Sequence, residues 1–250
     1  MAESTKTETA TSGRGTWFTT THWSLILNAQ DTSSPVAAAA LEKLCRACWY
    51  PLYVYVRRQG EDEESAKDLT QGFFARLLEK HCLAQAQREK GKFRSFLLAS
   101  LKHYLSDERD KARAQKRGGG QTPVSLDDST GEERYRLEPV DVMDAERLFE
   151  RRWALTLLEQ ARARLREEYL ETGKSSLYER LRVFEGGDKS GPSYAQVASE
   201  LGLTESGVKS AVFRLRERYR ELVREEIANT VDSPGEVDGE IRHLISVISG

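Results

Sequence analysis

The stretch Ser193-Tyr-Ala-Gln-Val-Ala-Ser-Glu-Leu-Gly-Leu-Thr-Glu-Ser-Gly-Val-Lys-Ser210 decides how the chain is read. Tyr194, Val197, Ala198 and Leu201 share one helical face, Gly202 falls where a tight turn is needed, Leu203 packs that turn, and Thr204 can cap a second helix. That second helix extends to about Glu226, because Val208, Val212, Leu215, Tyr219 and Leu222 recur at helical spacing on its buried side. The pattern is that of a helix-turn-helix, a spacing that plain helical hairpins also produce. Its outward positions hold Ser206, Lys209, Ser210, Phe213, Arg214 and Arg216, the donors and the flat group that a helix entering a major groove needs. Glu200, Glu205, Glu217, Glu221, Glu225 and Glu226 offset these cations, so the isolated segment should bind DNA weakly and lose it with salt.

The rest of the chain has the same helical character. Its 250 residues suffice for one to two domains. With six prolines, 18 glycines and many Leu, Ala, Arg and Glu, the composition favours an all-α protein. The 38 basic and 40 acidic residues leave a formal charge of −2, so any affinity for nucleic acid must reside in local patches. No apolar run is long enough to span a bilayer, and no membrane partner is expected. Three cysteines and a first segment without an apolar core point to a reduced, cytoplasmic protein.

The periodicity divides the chain into parts. Residues 1–17 read as a disordered tail. A first helical domain over 18–115 contains an amphipathic helix from about Val36 to Arg58, with Pro51 as a kink or boundary, and another from about Ser65 to Glu79 buried through Leu69, Phe73, Leu77 and Leu78. The clearest helix carries Phe93, Phe96, Leu97, Ser100, Leu101, Tyr104 and Leu105 on one side. Residues 116–144 show no sustained period and read as a flexible linker. A second helical domain over 145–228 opens with a long helix to about Tyr169, its apolar stripe being Leu148, Phe149, Trp153, Leu155, Leu158, Ala161 and Leu165. A shorter helix over about Leu177 to Phe184 and the helix-turn-helix complete it. In the extension over 229–250, Val237, Ile241, Leu244, Ile245 and Ile248 predict one more amphipathic helix.

Cys45-Arg-Ala-Cys48 has the spacing of zinc and redox sites, with His81 and Cys82 as possible completing ligands. Both Cys45 and Cys48 also lie on an apolar stripe where Cys acts as a small hydrophobe, and no metal or other cofactor is expected. Phosphate loops and nucleophile elbows are lacking in the sequence, which argues against an enzyme. Phe93 and Phe96, near His103 and the basic end at Lys116-Arg117, suit stacking on single-stranded bases as well as they suit core packing.

The order of these parts resembles the extracytoplasmic-function group of bacterial RNA polymerase sigma factors over about Thr20 to Arg224. Two tracts carry the likeness. Ser65-Ala-Lys-Asp-Leu-Thr-Gln-Gly-Phe-Phe-Ala-Arg-Leu77 looks like the helix with which sigma domain two grips the polymerase clamp, and the Ser193–Ser210 tract looks like the domain-four helix-turn-helix. The resemblance implies that Asp68, Gln71, Phe74 and Arg76 face core RNA polymerase. It implies that Phe93, Arg94, Phe96, Lys102, His103, Arg109 and Arg113 bind and help open the minus-ten element. Ser206, Lys209, Ser210, Phe213 and Arg214 would read the minus-thirty-five element of promoter DNA.

This chain departs from the group where Ser65, Lys67 and Gly72 replace the usual acidic residues of the clamp-facing tract. Thr70 lies in the middle of it, and a phosphate there would restore about −1.5 to −2 charges. Phosphorylation of Thr70 by a Ser/Thr kinase is therefore one expected route of regulation, and a separate anti-sigma factor is another. The alternative to a sigma factor is a dimeric helix-turn-helix regulator that binds duplex DNA without polymerase. A helical scaffold or enzyme using Cys45, Cys48 and Cys82 is the third reading.

Overall fold

The computed structural model describes residues 48–79, 92–115, 131–136, 144–185 and 191–250. The described secondary structure is entirely helical. The elements are α1 (48–58), α2 (Glu63–Glu79), α3 (Phe93–Gln115), α4 (Gly131–Arg136), α5 (Ala145–Glu171), α6 (Ser175–Leu181), α7 (Tyr194–Leu201), α8 (Glu205–Ala228) and α9 (Val237–Ser249). Short 3-10 turns at Arg182–Phe184 and Pro234–Glu236 follow α6 and precede α9. Pro51 lies within helix α1 and does not end it. Helix α2 starts two residues before the expected Ser65, where the Asp62 carboxylate accepts hydrogen bonds from the Ser65 amide and hydroxyl, both at 2.9 Å.

Two hydrophobic clusters organise these helices. The second belongs to the C-terminal half: Ala161 and Leu165 of α5, Tyr178 and Leu181 of α6, Val197 and Ala198 of α7, and Val208, Val212, Leu215 and Leu222 of α8. The first cluster crosses the expected domain boundary. It joins Leu52, Tyr53, Phe73, Leu77, Phe93, Leu97 and Leu101 from α1 to α3 with Leu148, Phe149, Trp153 and Leu157 of α5 and with Ile227, Val231, Val237 and Leu244 near the C-terminus. The first half of α5 therefore packs with the N-terminal helices, and its second half with the helix-turn-helix. Burial of each such Leu, Ile or Phe contributes about 1.5–3 kcal/mol. The buried side of α5 is rotated slightly from the expected stripe, since Ala154 and Leu157 are buried while Leu155 and Leu158 are only partly so.

The reading of 116–144 as linker needs correction over Gly131–Arg136, which form α4 against α1. A Cβ on Gly131 would lie 2.9 Å from the Trp49 ring, so the lack of a side chain is what lets this backbone approach. Glu132 is buried and makes three contacts to α1: the Tyr53 hydroxyl donates to it at 2.6 Å, and Arg57 donates through Nε and Nη2 at 3.0 and 2.9 Å. This bidentate pair fixes where the short helix lands.

The Arg57 hydrogen bonds hold the Glu132 carboxyl below its ordinary value, against the opposing effect of burial. A carboxyl lowered in the folded state contributes stability that is complete above its unfolded pKa and is lost as pH falls through the folded one. Glu132→Gln should therefore cost about 1–3 kcal/mol at neutral pH and flatten the acid limb of a plot of Tm against pH. An unchanged acid limb would show that the pair is not coupled to folding.

Candidate nucleic-acid interface

The helix-turn-helix is built by local signals that act in series. Ser193 and Gln196 form a reciprocal capping box at the start of α7, the Ser193 hydroxyl accepting from the Gln196 amide at 3.2 Å and the Gln196 side chain accepting from the Ser193 amide at 2.7 Å. The helix ends at Gly202 with φ +64, a left-handed conformation that other residues adopt at a cost. The Leu203 amide then donates to Ala198 O at 2.9 Å. Two residues on, the Thr204 hydroxyl accepts from the Gly207 amide at 3.0 Å and starts α8. Tyr194 stacks on Phe184 with ring centroids 4.5 Å apart, and Arg216 Nε donates to Phe184 O at 3.1 Å, which ties the motif to the preceding 3-10 turn.

The outward side of α8 presents the expected residues together. Ser206, Lys209, Ser210, Phe213 and Arg214 are all exposed, and Phe213 shows 64% of its surface to solvent. Lys209 pairs with Glu205 at 2.6 Å and lies 5.8 Å from the Tyr194 ring, and the Glu205 hydrogen bond raises its pKa, so it remains a cation at neutral pH. Leu203, expected to pack the turn, is instead 45% exposed there. Arg216 differs from its neighbours, being turned inward to Phe184.

The residues expected to touch the minus-ten element do not form one surface. His103, Arg109 and Arg113 are exposed along the C-terminal half of α3. Phe93 is fully buried beside Trp153, with centroids 5.9 Å apart, and Phe96 is half-buried. In this closed arrangement core packing accounts for Phe93. Arg94, expected on the surface, is 8% exposed and held by Glu150 and Glu240. Lys102 pairs with Glu146, which raises its pKa. Arg109 lies 3.5 Å from Glu61 and Arg113 3.5 Å from Asp110.

The expected polymerase face of α2 divides similarly. Asp68 is exposed, while Gln71 and Arg76 are partly so. Arg76 pairs with Asp107 at 2.6 Å and lies 5.7 Å from the Tyr104 ring. Phe74 is 3% exposed and belongs to the core. Thr70 is fully buried, and its hydroxyl donates to Ala66 O at 2.7 Å. Ala66, Thr70, Phe73 and Leu77 follow one helical stripe, a spacing that could have placed Thr70 inside from the sequence. Modification by a kinase would require α2 to lift off its neighbours. Gly72, read as a lost acidic position, is where α2 meets α3: a Cβ there would be 2.3 Å from the Tyr104 hydroxyl. Burial raises the Tyr104 phenol to about 12, so it stays neutral in this contact.

Cys48 is buried in the first cluster, and Cys45, His81 and Cys82 lie outside the described residues, as do Lys116 and Arg117. Among the described residues no cluster of metal-ligating side chains occurs, and no helix is long and apolar enough to cross a membrane. No family model matches the chain, and neither a curated protein nor a solved structure is significantly similar to it.

A charge at position 70 should be tolerated poorly. Thr70→Asp should lose about 2–3 kcal/mol and about 5–10 °C in Tm, whereas Thr70→Val should stay within about 1 kcal/mol. Equal stability of the Asp variant and the wild type would show that the side chain reaches water.

Proposed function

We propose that the chain is a sigma factor of the extracytoplasmic-function type, which binds core RNA polymerase and directs promoter-specific initiation. The observation that carries this reading is the capped helix-turn-helix with Ser206, Lys209, Ser210, Phe213 and Arg214 exposed side by side on α8. Arginine can donate two parallel hydrogen bonds to the O6 and N7 of guanine, and an aromatic ring can contact a thymine methyl. Serines near a helix N-terminus, with the amides of its first turn, suit a phosphate oxygen. The face is therefore equipped for both base reading and backbone anchoring.

The charge balance supports a factor that works within a larger assembly. With 38 basic against 40 acidic residues, the chain lacks the excess of cations with which an independent DNA binder gathers affinity from phosphates. A sigma factor leaves that part to the core enzyme and contributes the base contacts. Asp68 and Gln71 on the outer side of α2 remain the groups offered to the polymerase, and Arg109, Arg113 and His103 on α3 the groups offered to the opened strand. The binding mechanism asks for no catalytic residue in this chain.

Runoff transcription from a small promoter library, with bacterial core polymerase and the purified full chain, tests the reading. Transcripts from a subset of promoters are the expected result, and Arg214→Ala or Phe213→Ala should each reduce them about 10- to 100-fold, corresponding to about 1–3 kcal/mol of base discrimination. Silence on every promoter, together with tight duplex binding by a dimer of the chain alone, would overturn it in favour of a polymerase-independent regulator.

A further inference from the structure

The C-terminal extension ends against the cations of α3. Arg94 Nε donates to Glu240 Oε1 at 2.7 Å, Lys92 Nζ lies 2.6 Å from Glu240 Oε2, and Glu240 itself is 1% exposed. Arg94 Nη1 also donates to Glu150 of α5, whose second oxygen lies 3.4 Å from His243 of α9. The turn before α9 caps α3, since the Phe93 amide donates to Thr230 O at 3.0 Å and Thr230 is itself buried. Further along α3, Lys102 is taken by Glu146 of α5. Lys92 just before α3, and Arg94 and Lys102 within it, thus face carboxylates supplied by α5 and α9.

A guanidinium accepts a carboxylate or a phosphate with the same forked geometry, so each of these carboxylates can stand where a nucleic-acid phosphate would bind. Burying such a pair gives little net stability compared with apolar residues of the same size, but it fixes the arrangement sharply and is costly to leave half-made. Once α9 moves away, a phosphate can take the place on Arg94 that Glu240 occupies. Neighbouring Asp238 of α9 points elsewhere, pairing with Arg224 of α8 at 2.6 Å. The Glu240 contact is therefore directed at α3 in particular.

We infer that the extension over 229–250 is an autoinhibitory latch, in which Glu240 mimics a DNA phosphate on Arg94 and Lys92 and keeps α3 closed against α5 until nucleic acid displaces it. This rests on the reading of α3 as the surface for melted promoter DNA, adds the covered Arg94 and Lys92 to the already exposed His103, Arg109 and Arg113, and specifies how their access is regulated. Val231, Val237 and Leu244 anchor the latch in the first hydrophobic cluster, and the Glu240 carboxylate locks it. Burial pushes the Glu240 carboxyl up, but the Arg94 and Lys92 cations outweigh this and hold it below its ordinary value, so the lock is charged at neutral pH.

The test compares the full-length wild type with Glu240→Gln, Glu146→Gln and Asp238→Asn. Two measurements apply to each: hydrogen exchange of the α9 amides, and binding of a single-stranded oligonucleotide at one fixed salt concentration. Glu240→Gln should speed exchange in α9 and tighten oligonucleotide binding about tenfold, an ordinary size for coupling between two sites. Glu146→Gln, at an exposed pair, should tighten binding by a smaller factor, and Asp238→Asn should leave it unchanged. Added oligonucleotide should speed α9 exchange in the wild type. The latch is overturned if Glu240→Gln opens α9 without a gain in binding, or if the oligonucleotide leaves α9 exchange unaltered. If Glu240→Gln proves unfolded, the Glu146→Gln comparison and the wild-type exchange decide in the same way. Promoter-library transcription with core polymerase separates the two readings: opening and gain of binding without any transcript would retain the latch and remove the sigma assignment.

Discussion

Helix α5 is the constraint on which the rest depends. Its 27 residues make a rod of about 40 Å whose first half is buried among α1 to α3 and whose second half is buried under the helix-turn-helix. A rod that contributes to two cores couples them, because neither half can rotate without exposing apolar surface in both. Trp153 and Leu157 near its middle leave little slack between the clusters. The C-terminal helix then packs across α5 and α8 and closes the assembly from the outside.

Charge follows the same economy. Arg164 reaches Glu225 and Glu226, Arg218 reaches Glu168, Glu221 and Glu225, and Arg57 reaches Glu132. Many basic residues among those described thus have intramolecular partners, and the near balance of 38 basic and 40 acidic residues keeps the formal charge at −2. Exposed ion pairs of this type contribute little to stability. The exposed face of α8 carries an aromatic ring and polar donors, while α3 keeps several of its cations against carboxylates.

The two helices and the turn of the helix-turn-helix were legible in the sequence because the signals that build them are local, whereas the inward turn of Arg216 to Phe184 was not. Ser193, Gln196, Gly202 and Thr204 act on backbone groups within a few residues, and the 3.6-residue period identifies the face of α8 that must be inside. The C-terminal helix was legible for the same reason, from Val237, Leu244 and their neighbours. Thr70 was read as a phosphorylation site from its place in the tract depleted of acidic residues, although the spacing with Ala66, Phe73 and Leu77 placed it inside, where its hydroxyl is satisfied by its own helix. Helix α4 escaped notice because six residues carry no measurable period and its stability comes from Glu132 meeting Arg57 and Tyr53.

The sequence by itself determined the helical class, the course of the long helices and the exposed face of α8, since hydrophobic period and capping act over one or two turns. Only the tertiary structure decided that the expected domain boundary lies inside a shared core, and that Arg94 is held by a carboxylate 146 positions away. Pairing across such a distance depends on which helices meet, and that is set by the summed burial of side chains from the whole chain rather than by any local signal.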